Sequence, residues 1–282
     1  MPAHTRPRWK RIATCGRDAF YRIGTLLDRI ARSRSGALLP PAHLRKYYYR
    51  TWHPKAFAEA CDTVRTELIL RGLQPEHRVL DIGSGIGNLA LGLVDYLRGS
   101  YEGIEIHPEA VAWCQQTITK RYAAFRFHHA DLANSAYNPR GRAPASAYRF
   151  PFADRDFDFI FLGSVFTHML PDAVERYMRE ISRLLRPEGL SVASYFLLND
   201  STRSAIDAGR SFMSFRVDHA SGLCRLHDAT RPEAAVALDE TFVRHLHEAS
   251  GLRIRDIRRG NWWTGRAHDQ DVVTAGLNGS PC

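Results

Sequence analysis

The chain has 282 residues, 44% hydrophobic and 24% charged, the balance of an ordinary soluble protein with room for one α/β domain and some decoration. Its formal charge of +9 is localised: residues 1–50 hold twelve Arg or Lys against Asp18 and Asp28, a net of +10, so the remaining 232 residues sum to −1 and carry no nucleic-acid groove signal. No run approaches the roughly 18 to 20 apolar residues of a membrane span, and the five scattered cysteines, without a C-x-x-C pair, suggest neither a disulfide framework nor a zinc site.

From Trp9 to Ile30 apolar residues recur at three- and four-residue steps with arginines between them, which predicts a basic amphipathic helix. Packing on its own domain or on a second copy is the first reading of residues 9–30; contact with a membrane surface is the alternative. The Ser-, Gly- and Pro-rich stretch 33–41 separates this arm, residues 1–40, from the rest of the chain. Tyr47-Tyr48-Tyr49-Arg50-Thr51-Trp52-His53 is a polar-aromatic cluster, with Tyr48 as a candidate substrate contact. Pro54 to Gly72 reads as a helix with a glycine stop.

Val79-Leu80-Asp81-Ile82-Gly83-Ser84-Gly85-Ile86-Gly87-Asn88 predicts a strand, a tight turn and the start of a helix. Glycines there let the backbone take positive φ and approach a ligand, and the helix start leaves N–H groups unpaired beside it. Gly83, Gly85 and Gly87 are each two apart, unlike the G-x-G-x-x-G of dinucleotide folds, and Asp81 precedes them. The second strand, 101–106, ends in Glu105 and Ile106, and a carboxylate there can accept from both hydroxyls of a ribose.

Pro108 opens a helix to about Tyr122, and 125–130 forms a third strand leading into Asp131 and Leu132. His128 and His129 point to opposite faces of that strand and are read as structural. Residues 134–154 are loop-like and longer than most connections in a compact domain, which suggests one wall of a substrate entrance. The fourth strand, 157–163, runs into Ser164 and His168 at the edge where open α/β sheets bind ligands. A helix over 172–185, a strand over 190–198, an irregular stretch over 199–232, a helix over 233–250 and an antiparallel pair, 252–257 and 271–275, complete the chain. Trp262 and Trp263 between the last two strands are read as loop tryptophans that either cover a substrate ring or pack on the sheet.

The glycine turn after Asp81, acids at the ends of the next two strands, and Leu184-Leu185-Arg186-Pro187-Glu188-Gly189 together resemble the class I S-adenosylmethionine-dependent methyltransferases of the broad bacterial type 11/12 kind, over about residues 45–276. The resemblance implies a Rossmann-like, doubly wound α/β fold: a mostly parallel seven-stranded sheet with an antiparallel terminal strand, following the N-terminal helical arm. It places the domain at 41–276, with insertions 133–155 and 199–232 as a substrate cap and a tail at 277–282. It implies S-adenosylmethionine as cofactor with no metal, held by Asp81, Gly83, Ser84, Gly85, Gly87, Asn88, Glu105, Ile106, Asp131, Leu132 and Ser164, with Asp131 and Leu132 at the adenine. Boxes typical of adenine-N6, glutamine-amide and cytosine-C5 methylation are absent after the fourth strand, which favours O-methylation of a sugar, glycolipid or other secondary metabolite in the cytoplasm. His168 is the candidate base; a residue that merely caps the next segment is the equal alternative. The other readings are a macromolecular acceptor docked by the basic arm, and a dinucleotide oxidoreductase or ligand-binding module.

Overall fold

A computed structural model describes residues 38–49, 53–265 and 269–279, excepting the side chains of 46–49. The expected arm helix over residues 9–30 and residues 50–52 of the aromatic cluster lie outside the described residues, as do the side chains of Tyr47, Tyr48 and Tyr49. Helix α1 (Ala42–Tyr49) is followed by α2 (Pro54–Leu70), which Pro54 opens in its first turn. The predicted glycine stop is a Schellman end: Gly72 has φ +102, its N–H donates to Ile69 O, and the Leu73 N–H reaches back to Leu68 O.

The apolar runs at the centre of the chain's main sheet become strands buried on both faces, while 125–129 and 252–258 keep exposed residues. The main sheet contains β1 (Arg78–Ile82), β2 (Ser100–Glu105), β3 (Phe125–His129), β4 (Phe157–Leu162), β5 (Leu185–Tyr195), β10 (Leu252–Arg258) and β11 (Asp271–Leu277), in the order β10-β11-β5-β4-β1-β2-β3. β1 to β5 pair in parallel, whereas β11 runs antiparallel to β5 and to β10. This is the doubly wound, mostly parallel sheet expected, and its order reverses beside β1, so the carboxyl ends of β1 and β4 flank a crevice.

Helices α3 (Asn88–Leu93) and α4 (Pro108–Cys114), the latter continued by a π-turn over Gln115–Thr119, follow β1 and β2. Helix α5 (Pro171–Leu184) follows β4 and buries Val174, Tyr177, Met178, Ile181 and Leu184, spaced three and four apart, in the largest core cluster. Among the described residues no helix is long and apolar enough to cross a membrane.

Three expectations change. The strand placed at 190–198 starts at Leu185, because the Arg186–Gly189 stretch forms an irregularity in the β4–β5 pairing rather than a turn before it. The stretch 199–232 is ordered: α6 (Asp200–Asp207) starts on an Asn199–Thr202 capping box, and a second sheet, β6-β9-β8-β7, joins β6 (Leu197–Leu198), β7 (Val217–His219), β8 (Cys224–Leu226) and β9 (Val236–Asp239). The helix placed at 233–250 therefore begins only at Glu240, as α7 (Glu240–Ala249). Val236-Ala237-Leu238 are wanted by the second sheet, and Asp239 caps the helix by accepting from the Phe242 N–H.

Candidate active site

One cavity of about 580 Å³ opens along the carboxyl edge of the main sheet, within the usual size range of small-molecule sites. Gly83, Gly85 and Gly87 have φ of +77, +53 and +76, so the turn uses the freedom that only glycine supplies cheaply. The turn is pinned by the Gly83 and Ser84 N–H groups, which both donate to Ile104 O at the end of β2. Asp81, Gly83, Gly85, Asn88, Glu105, Ile106, Leu132, Ser164 and His168 all line the cavity.

Four proposed contacts are placed elsewhere. Ser84 is buried beneath the turn, its side chain against Gly103, and contributes its backbone. Gly87 caps α3 and is not part of the lining; a Cβ there would stand 2.6 Å from Ile118 Cδ1. The Asp131 carboxylate turns into its own loop, where Arg142 Nε lies 2.5 Å away and Asn138 Nδ2 also donates to it. For Trp262 the substrate-contact reading gives way to the packing one: it is fully buried among Phe196 and Phe215, and its Nε1–H donates to Asp271 Oδ2 at 2.8 Å. A ring with one polar edge buries well when that edge finds a carboxylate, and here β11 supplies one.

Two buried carboxylates sit at the glycine turn. Glu105 accepts from the Gly85 N–H at 2.8 Å and from the His107 N–H at 2.8 Å. Burial pushes its pKa up, and those backbone donors pull the other way. Asp81 accepts from the Tyr101 hydroxyl at 2.5 Å. Burial pushes its pKa up to about 7, with Tyr101 lowering it and the Glu105 charge raising it.

His168, in the same lining, lies on the short 3-10 turn Phe166–His168 after β4. Its Nδ1 is 3.1 Å from Glu233 O, which can only accept, so Nδ1 carries the proton and Nε2 the lone pair. Nε2 faces the Tyr137 hydroxyl at 3.2 Å. Burial lowers the imidazole pKa, against the opposing pull of the Glu233 and Ala234 backbone, so the ring is neutral near pH 7. Asn134 fixes both partners: Nδ2 donates to His168 O, and Oδ1 accepts from the Ala136 and Tyr137 N–H groups. Glu233 and Ser135 exchange two further hydrogen bonds, clasping the turn between β8 and β9 to the loop that carries Asn134 and Tyr137. Sequence reading missed Asn134, Tyr137 and Glu233. Asn134 had a local signal, a side chain able to close an Asx turn, while Glu233 had none, because its contact spans 65 residues.

Ser164, one residue beyond Gly163, holds φ 57, a conformation costing a non-glycine residue about 1–2 kcal/mol. It is held by its N–H donating to Ser194 Oγ and its hydroxyl to Gln270 Oε1.

A family model described as a methyltransferase domain matches residues 80–193, from β1 to the end of β5. Residues 80–193 are a methyltransferase domain of the S-adenosylmethionine-dependent kind. The glycine turn, Glu105 and the edge after β4 all fall inside that match. The chain is 22% identical over 178 residues to sterol 24-C-methyltransferase of Schizosaccharomyces pombe, covering 63% of this chain and 43% of that protein. It is 25% identical over 119 residues to a Haemophilus influenzae protein, 42% of each chain, so the match spans less than half of either curated relative. Among solved structures, a Pyrococcus horikoshii protein superposes with TM-score 0.53 at 14% identity, over 79% of this chain and 91% of that one. A Methanosarcina mazei S-adenosylmethionine-dependent methyltransferase gives 0.50 at 22% identity, over 74% and 97%. Both likenesses are of fold.

Proposed function

We propose that this chain transfers the methyl group of S-adenosylmethionine to a hydroxyl oxygen of a small molecule or glycan: a sugar, a glycolipid or another secondary metabolite. The observation that carries the reading is His168, a neutral imidazole whose tautomer is set by Glu233, lining the same cavity as the glycine turn and Glu105.

The residues present fit this cofactor. Glu105 stands at the end of β2 with each oxygen holding one backbone donor, which leaves lone pairs for a ribose diol. Leu132 and Ile106 offer apolar contact to an adenine, with Asp131 at the rim engaged by Arg142. Asp81 and Asn88 face the polar end. A sulfonium methyl is already activated for displacement, so the chain's contribution is alignment, exclusion of water and removal of the acceptor's proton. His168, which lines the same cavity, takes that proton.

Incubating the protein with methyl-labelled S-adenosylmethionine and a whole cell lysate, then separating small molecules from RNA and protein and assigning the labelled product by NMR, tests the reading. A methoxy product is expected. A methyl on carbon, as the name of the S. pombe sterol 24-C-methyltransferase describes, or on nitrogen would overturn it, and so would label found only in RNA or protein.

Two further results are expected at the cofactor residues. Glu105→Gln removes the charge at nearly constant shape and turns an amide toward backbone donors; calorimetry should show S-adenosylhomocysteine binding about 10- to 100-fold more weakly, the ~1.5–3 kcal/mol of hydrogen bonds to a charged group. Affinity within twofold of the unaltered protein would remove Glu105 from the site. Asp81, with its pKa raised to about 7, is largely protonated in mild acid and must ionise to attract the ammonium end of the cofactor. Affinity should therefore fall as pH drops below 7, by up to about tenfold per pH unit. Asp81→Asn should flatten that dependence, and a parallel slope in the variant counts against the assignment.

A further inference from the structure

We propose that Tyr137 is a catalytic residue: its hydroxyl contacts the acceptor oxygen and passes the proton to His168. This rests on the hydroxyl-methylation reading above. A neutral imidazole has one lone pair in the ring plane, on Nε2 here because Nδ1–H is committed to Glu233 O. The Tyr137 hydroxyl stands 3.2 Å from that lone pair, with the rings edge to face at 4.8 Å between centroids. An acceptor hydroxyl therefore reaches the base through Tyr137, which donates to Nε2 while its oxygen accepts from the acceptor. Both side chains line the cavity that contains Glu105 and Gly163. Asn134 ties their backbones together, so the pair is held as a unit.

The step balances. The acceptor O–H bond breaks as its oxygen bonds the methyl carbon, and the carbon–sulfur pair of electrons stays on sulfur. The acceptor's proton moves to Tyr137 Oη as the Tyr137 proton moves to His168 Nε2. One positive charge leaves the sulfonium and one appears on the imidazolium, so the number of cations in the buried site is unchanged. That conservation answers the objection that a buried imidazole resists protonation.

The test uses the full chain with Tyr137→Phe, which keeps the ring and the edge-to-face packing, and His168→Gln. In ¹⁵N-histidine NMR of the S-adenosylhomocysteine complex, His168 should be protonated on Nδ1 only, and Tyr137→Phe should shift its Nε2 resonance. With methyl-labelled cofactor and a deproteinised metabolite extract, Tyr137→Phe should transfer about 10²–10³-fold more slowly with cofactor affinity within twofold, in the range for lost acid–base catalysis. The proton inventory in mixed H₂O and D₂O should be curved for the unaltered protein, two protons being in flight, and straight for Tyr137→Phe. A protonated Nε2, or an Nε2 resonance indifferent to Tyr137→Phe, overturns the relay without any acceptor being known. Wild-type transfer by Tyr137→Phe alongside a dead His168→Gln also overturns it and leaves the base assignment standing. Wild-type transfer by both variants is the different failure, that of the hydroxyl-methylation reading itself.

Discussion

His168→Gln is expected to lower kcat by about 10²–10⁴-fold, roughly 3–5 kcal/mol of barrier at 1.36 kcal/mol per decade, while S-adenosylhomocysteine binds within twofold of its usual affinity. Glutamine is the informative replacement because its amide can still donate to Glu233 O, where alanine would leave that carbonyl unpaired and open a void beside Tyr137. What glutamine cannot do is hold a proton. In the unaltered protein the base must be neutral, so activity is lost as pH falls through the folded pKa of His168. Burial has moved that pKa below the ordinary imidazole value. The rate should thus be level through neutral pH and decline only in acid, and His168→Gln should abolish that limb. Full activity in the glutamine variant would reduce His168 to a structural residue closing the turn over Glu233.

How much of the fold and site is legible in the sequence depends on the range of each signal. The β1 strand and its glycine turn are readable because every feature is local: a buried apolar run, three glycines forced to positive φ, and a proline or glycine at the neighbouring helix ends. Glu105 is readable as an acid at a strand end. For Trp262 the sequence leaves covering a substrate ring and packing on the sheet open, since its burial depends on Asp271 nine residues away and on Phe196 and Phe215, which lie just before β6 and β7. That second sheet is itself hidden. β7 and β8 are three residues each, too short for an alternating pattern to register, and β6 pairs in parallel with β9 across some forty residues. The base obeys the same rule: His168 stands out by residue type, whereas its tautomer and its tyrosine partner are set by contacts 65 and 31 residues away.

Gly83→Ala is expected to destabilise the domain by about 2–5 kcal/mol, from two separable causes. A residue with a Cβ at φ +77 costs about 1–2 kcal/mol. The added methyl would also lie 2.4 Å from Val165 Cγ2, an overlap of the kind that costs about 1–3 kcal/mol. A thermal melt should move down by roughly 5–15 °C. Combining Gly83→Ala with Val165→Ala should recover the steric part and leave the conformational part, giving a favourable coupling of about 1–3 kcal/mol in a double-mutant cycle. If Gly83→Ala melts like the unaltered protein, or Val165→Ala adds its own loss without rescue, the contact has no energetic weight. The contact matters for chemistry because Val165 O accepts the His168 N–H at 2.9 Å, so whatever pushes Val165 moves the turn that carries the base. Gly83 is thus required twice, once for the cofactor turn and once so that the loop after β4 can lie against it. The double variant should accordingly regain stability before it regains turnover, since alanine at Val165 relieves the overlap but also removes the side chain that spaces the two loops.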